Sequence, residues 1–296
     1  MQLSDLVKLF GLSSIWGASF LFMRVAAPSF GPIPLMLVRV ATALLCFLPF
    51  FFRPKVRQGL RTHAKHLAVT GLLSTAVPFC LIAFATLSLE AGFTSLINAT
   101  TPLFAAAVGA VWLGIPLKRI QILGLFIGVV GVLILVWGRL SFTSGGAGWA
   151  IAAGLLATFS YGVSVHYARR FLTDVSALVC SAGSMLSGSI ALLPLGLALW
   201  PEVNPSLLEW GCGVSLGVFC TALAYVIFFD VIGRTGATNA STVTFMVPGF
   251  AILWGALFLG ETLTPRVVAG MLVTLAGTAF TVGFVPRFLE RRVKAL

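Results

Sequence analysis

Residues Ala91–Leu117 read AGFTSLINATTPLFAAAVGAVWLGIPL, and residues Ala237–Leu263 read ATNASTVTFMVPGFAILWGALFLGETL. Aligned without a gap at an offset of 146, they place Ser95 on Ser241, Pro102 on Pro248, Phe104 on Phe250, Ala105 on Ala251, Gly109 on Gly255, Leu113 on Leu259, Gly114 on Gly260 and Leu117 on Leu263. Beyond them Gly124 falls on Gly270 and Gly131 on Gly277. Chance matches among apolar residues are common, but prolines and glycines in register are not, so the chain carries a duplicated unit. The duplication starts upstream. WGASFLFMR (Trp16–Arg24) is echoed at an offset of 145 by YGVSVHYAR (Tyr161–Arg169), which matches Gly17 to Gly162, Ser19 to Ser164 and Arg24 to Arg169.

The duplicated unit is built of membrane helices. Of 296 residues, 59% are hydrophobic and only 9% charged, far from a soluble mixture. A helix needs about 20 apolar residues to cross about 30 Å of hydrocarbon. Runs of that kind lie near 6–27, 33–52, 67–88, 91–113, 120–138, 147–168, 175–199, 208–231, 238–259 and 266–285. The expected fold is an all-α polytopic membrane protein of ten transmembrane helices in two five-helix repeats, residues 1–140 and 141–296. Five is odd, so the second repeat enters the membrane upside down. Inverted repeats are a transporter architecture, with a site at their interface exposed to either side in turn. The linkers are too short for a soluble domain.

Charge sets the expected orientation. Lys8, Arg53, Lys55, Arg57, Arg61, Lys65, Lys118, Arg119, Arg169, Arg170, Arg234, Arg287, Arg291, Arg292 and Lys294 fall on the N-terminal side, against Arg24, Arg139 and Arg266 on the other. The positive-inside rule then puts both termini in the cytoplasm, in a cell (inner) membrane of bacterial type. The net charge of +11 is topological and gives no nucleic-acid interface. Lys8, the first apolar run and Ala26-Ala27 resemble a cleavable signal peptide, but a removable peptide has no reason to match an interior helix, so this segment is read as a retained span. The five cysteines sit in apolar spans without paired or metal-type spacing, and His63 and His66 lie on a basic loop with no further ligand. No metal, cofactor or nucleic-acid partner is expected, only a small-molecule substrate and the bilayer. Gly124 and Gly128 are read as packing the fifth helix within a monomer.

Residues that recur between repeats are the candidates for a central path. Ser95, Asn98 and Pro102 share one face of the fourth helix by i, i+3, i+7 spacing, as Ser241, Thr244 and Pro248 do in the ninth. The two prolines free carbonyls and permit gating bends. Packing glue between helices is the competing reading of those small polar residues. Trp16 corresponds to Tyr161, Phe79 to Tyr225 and Ser19 to Ser164, with Phe84 and Phe219 nearby. Aromatic faces with few polar groups suit a flat or amphipathic solute. Arg39, inside the second span, would hold a substrate carboxylate or satisfy backbone carbonyls. No Asp or Glu lies mid-span, which favours facilitated diffusion over proton coupling, with His166, late in the sixth helix, read as a packed residue.

Several stretches together resemble the ten-helix, EamA-domain branch of the drug/metabolite transporter superfamily: WGASFLFMR, GPIPLMLVR ending at Arg39, AGFTSLINATTPLFAAAVGAVWLG, and GATNASTVTFMVPGFAILWGALFLGE ending at Glu261. The resemblance covers nearly the whole chain. It implies a transporter and not an enzyme, and within the family the aromatic amino-acid and amphipathic-solute exporters are the most similar in general character. The sequence departs from the family at Ile115, where the first repeat often carries the glutamate that stands here only as Glu261. Two alternatives stay open at this stage. A nucleotide-sugar or sugar-phosphate antiporter would call for several cations in the cavity, where only Arg39 is available. An intramembrane Ser/His hydrolase would pair Ser19 with His166.

Overall fold

A computed structural model describes residues 2–143, 146–262 and 264–283. Arg287, Glu290, Arg291, Arg292, Lys294, Leu263 and the end of the tenth expected span lie outside the described residues. All regular structure among the described residues is helical. Eight helices are long and apolar enough to cross a membrane: α1 (Leu3–Phe30), α2 (Pro32–Phe51), α3 (Ala64–Ser88), α4 (Ala91–Leu113), α5 (Arg119–Val136), α6 (Gly148–Phe171), α7 (Ala177–Ala198) and α8 (Leu207–Thr235). Two shorter apolar helices complete the set, α9 (Val243–Leu259, preceded by the turn Ala237–Ala240) and α10 (Pro265–Thr281). A basic surface helix, Pro54–Thr62, joins α2 to α3.

Local chemistry sets the ends. Pro32 and Pro265 occupy the first helical position, where no N–H is needed. Ser206 and Glu209 form a reciprocal capping box that opens α8. Glu209 also accepts the Ser29 hydroxyl, tying the end of α1 to the start of α8. α4 and α9 both stop on a left-handed glycine, Gly114 at φ +62° and Gly260 at φ +64°.

The interior repeats the sequence offset in three dimensions. α3 contains a π-helical segment at Leu72–Ala76, and α8 contains one at Val218–Leu223, beginning 146 residues later. A Cβ added at Gly17 of α1 would sit 2.7 Å from Phe250 and 2.9 Å from the Ala251 nitrogen of α9. The counterpart, Gly162 of α6, faces Phe104 and Ala105 of α4 in the same way. Each repeat's first helix is therefore packed into the other repeat's fourth, and the two halves interlock. α5 lies along α10 through a seam of small residues, where Gly124, Gly128 and Gly131 meet Gly277, Thr274 and Thr281 backbone to backbone. This intramolecular seam uses the Gly124/Gly128 pair.

α4 and α9 are both interrupted, though not at equivalent points. α4 breaks after Asn98, at Ala99–Thr100, while α9 breaks at Ser241–Thr242, one turn earlier in repeat register. Hydroxyls take up the carbonyls freed there: Thr100 donates to Ile97, Thr101 to Asn98, Thr242 to Asn239 and Thr244 to Ser241. Pro102 starts the second piece of α4, whereas Pro248 lies inside α9. The two prolines, matched in sequence, thus stand at different points of their helices, Pro102 in the first turn of a helical piece and Pro248 well inside one.

Candidate functional site

Arg39 of α2 occupies the middle of the bundle, 6% exposed, with its guanidinium carbon 3.8 Å from the centroid of the Phe79 ring of α3. Its Nε donates to Thr221 Oγ1 at 3.0 Å, and Nη1 lies 3.9 Å from the Met23 sulfur. Thr221 stands in the π segment of α8 and donates onward to the Leu216 carbonyl, five residues back, at 2.8 Å. That bond uses a carbonyl which the wide turn leaves without its ordinary helical partner.

Trp16, Tyr161 and Tyr225 are half-buried against the same apolar cluster that contains Phe79. The Trp16 ring lies 5.2 Å from Phe228, and Tyr225 lies 6.1 Å from Phe229. Trp16, Phe79, Tyr161 and Tyr225 thus share one apolar core drawn from both repeats, which runs to both ends of the bundle, and Arg39 stacks on Phe79 within it. Arg39 is the one buried Lys or Arg among the described residues. Arg24, by contrast, is spent on the Thr86 and Leu87 carbonyls at the end of α3.

The polar candidates divide. On α4, Ser95 Oγ and Asn98 Oδ1 are buried with no hydrogen-bond partner among the described residues. On α9 the Thr244 hydroxyl is used locally, and Ser241 is half-buried. Ser19 donates to the Trp16 carbonyl of its own helix, and Ser164 is buried in α6. Phe84 does not join the group: it is 42% exposed and shares the outward face of α3 with Val77, away from Phe79. Phe219 is likewise exposed. Periodicity could not separate lipid-facing from cavity-facing aromatics, since both surfaces are apolar.

Ser19 and His166 do not form a dyad. His166 Nε2 pairs with the Ala105 carbonyl at 2.7 Å, and the ring wedges against Gly109. With the serine bonded to its own backbone, the nucleophile and base of a hydrolase are absent from this pair.

Sequence reading missed Thr221, although Thr75 and Thr221 recur at the offset of 146 and the signal was there. It also missed the role of Glu261, whose carboxylate accepts from the Ala91 and Gly92 backbone N–H groups at 2.8 and 3.4 Å and so caps the start of α4 from the loop after α9. Beside it Arg139 pairs with Glu90 at 2.6 Å. At the other end of the bundle Asp230 bridges Lys8 and Arg234.

The model of the EamA-like transporter family matches residues 5–137 and 148–283. The chain is 25% identical to the uncharacterized transporter YdfC of Bacillus subtilis, over 95% of this chain and 94% of that one. It is 24% identical to a protein of Streptantibioticus cattleyicolor described as a "probable terminal-alkyne amino-acid exporter", over 94% and 93% of the two chains. The uncharacterized inner membrane transporter YedA of Escherichia coli shares 25% identity over 89% of this chain and 87% of its own. A protein solved by crystallography superposes with a TM-score of 0.64 at 16% identity, covering 99% of this chain and 100% of its own, which is a likeness of fold.

Proposed function

Because the chain belongs to the EamA-like transporter family, and is a membrane transporter and not an enzyme, we propose that it exports small amphipathic solutes, aromatic amino acids foremost, through the centre of the bundle. The observation that carries this reading is that the repeat-related aromatics Trp16 and Tyr161, and Phe79 and Tyr225, all belong to or pack against one apolar core drawn from both halves. Their rings offer a flat solute stacking and dispersion, while the open Ser95 and Asn98 acceptors orient its polar end.

The two repeats, residues 1–140 and 141–296, together open the site to alternate sides. Transport is facilitated: among the described residues the buried Asp, Glu, Lys, Arg and His side chains are Asp5, at the first turn of α1, and Arg39 and His166, and none is a mid-span carboxylate. The protein works as a monomer in the cell's inner membrane with both termini in the cytoplasm, a reading supported by the charge count and by the internal use of the Gly124/Gly128 seam. A sugar-phosphate antiporter is disfavoured, because a phosphate dianion needs more than one buried cation.

The test is counterflow in proteoliposomes of the purified protein across a panel of amino acids. Exchange of phenylalanine, tyrosine or tryptophan is expected. Exchange confined to small hydrophilic amino acids would overturn the reading.

A further inference from the structure

The guanidinium of Arg39 has five N–H donors and one oxygen acceptor, Thr221 Oγ1. Among the described residues every ion pair lies elsewhere, at Lys8–Asp230, Arg139–Glu90 and Arg234–Asp230. A buried cation without a carboxylate is costly, and the fold would have to need it. The plainest such need is support for the π segment of α8, against which Arg39 packs.

The molecule contains its own control. Gly217, before the π segment of α8, approaches the Arg39 carbonyl and Thr42 of α2; Gly71, before the π segment of α3, approaches the Ser184 carbonyl and Ser187 of α7 in the same manner. Ser184 therefore occupies, in the second repeat, the place that Arg39 holds in the first. There the close approach and the π segment Leu72–Ala76 form with no arginine, and Thr75, counterpart of Thr221, is left fully buried with its hydroxyl unpartnered. Thr221 itself satisfies the Leu216 carbonyl. Neither the π turn nor the helix crossing requires the guanidinium.

We infer that Arg39 is the anchor for a carboxylate, and that the cargo is an organic monocarboxylate with a flat apolar body. This rests on the export reading above and sharpens it: recognition is of the acid group, and an amino group is dispensable. A guanidinium presents paired N–H donors that match the two oxygens of a carboxylate. One cation balances one negative charge. Phe79 fixes the guanidinium from one face, leaving its in-plane donors to the ligand. Trp16, Tyr161 and Tyr225, which pack against the same apolar core as Phe79, supply ring surface for the apolar body.

The test uses four solutes with one ring: phenylalanine, 3-phenylpropionate (acid, no amine), phenethylamine (amine, no acid) and phenylalaninamide. Each is measured by proteoliposome flux and by the rise in melting temperature of the purified protein, for wild type, Arg39→Ser and Arg39→Lys. Serine is the residue the fold already accepts at the equivalent place, and unliganded melting verifies that each variant is folded. Wild type is expected to transport, and to be stabilised by, the two acids and neither of the other two. Arg39→Ser should lose at least tenfold in apparent affinity for both acids, and Arg39→Lys should fall between. Flux of all four solutes alike, or acid binding undiminished in Arg39→Ser, would overturn the inference while leaving export of amphipathic solutes standing. Stabilisation by the acids that depends on Arg39, without flux of any solute, would sustain the inference and sink the export reading. If Arg39→Ser does not fold, preference between acid and amine in wild type decides the matter alone.

Discussion

Trp16→Ala should weaken solute recognition far more than Phe84→Ala, although both delete a large ring from a membrane helix. Trp16 is half-buried in the central cluster with Phe228 at 5.2 Å, while Phe84 is 42% exposed on the outer face of α3. A flat solute lying on the indole would cover about 80 Å² of it, which at about 25 cal/mol per Å² is about 2 kcal/mol, or roughly a 30-fold loss in affinity. Removal of Phe84 exchanges one apolar contact for lipid and should change flux less than about twofold. The assay is initial-rate counterflow at equal reconstituted protein, with KM and kcat separated. Loss of ground-state stacking raises KM, whereas global damage lowers kcat at unchanged KM. Because Trp16 also packs on Phe228, Trp16→Phe is the needed companion: it keeps a ring in place and should recover most of the affinity. Wild-type KM in Trp16→Ala, or an equal loss in Phe84→Ala, would refute the placement of the site.

Three further outcomes follow from other parts of the molecule. A pH gradient alone should drive no uphill accumulation, and His166→Ala should leave flux within about a factor of two, since the ring is engaged with the Ala105 carbonyl and not with the central cluster; concentration against a solute gradient by proton flow would contradict this. Gly277→Val should destabilise the α5–α10 seam by at least about 2 kcal/mol, because its side chain would be driven into the Gly128 backbone; an unchanged melting temperature in detergent would count against the packing. A reporter active only outside the cytoplasm, fused after Leu296, should remain silent; activity there would reverse the orientation.

The repeat was legible because glycines and prolines at close crossings tolerate little substitution, and Gly17, Gly162, Gly114 and Gly260 do in space what their register implies. Arg39 and the paired aromatics were legible for a related reason: a charge or a recurring ring in a lipid-soluble chain stands out from its background. The π segments were not. Leu72–Ala76 and Val218–Leu223 differ in sequence except at Thr-Ala, and their turns widen where a neighbouring helix presses on the preceding glycine, a tertiary effect that no local pattern encodes. The offset breaks in α4 and α9 escaped for the opposite reason, since the sequence symmetry there is better than the structural symmetry. Glu261 could be seen as an asymmetry against Ile115, but its partners, two backbone amides 170 residues away, carry no side-chain signature.

That asymmetry has a thermodynamic meaning for a carrier that alternates. The ion pairs at the two ends of the bundle, Glu90–Arg139 and Lys8–Asp230–Arg234, are partly exposed and each contributes at most about 1 kcal/mol. Glu261 adds, at one end only, a carboxylate on the backbone N–H groups that open α4, a bond type that contributes about 1.5 to 3 kcal/mol. Ile115, at the equivalent place, can accept nothing. If the proposed alternation breaks this contact when the Glu261 end opens, the bias toward the state shut at that end is roughly 10- to 150-fold. A solute arriving from the open side meets a competent site at once, while one arriving from the closed side must wait for a minor conformer, and its apparent affinity is diluted by that rarity. Detailed balance forbids this from concentrating anything, because a carrier closed more often on one side turns over correspondingly faster from it once occupied. What Glu261 would then set is the concentration range over which each side responds: a low half-saturation point facing one compartment and a high one facing the other, so that the same molecule would act as a sensitive collector on one side and a capacious drain on the other.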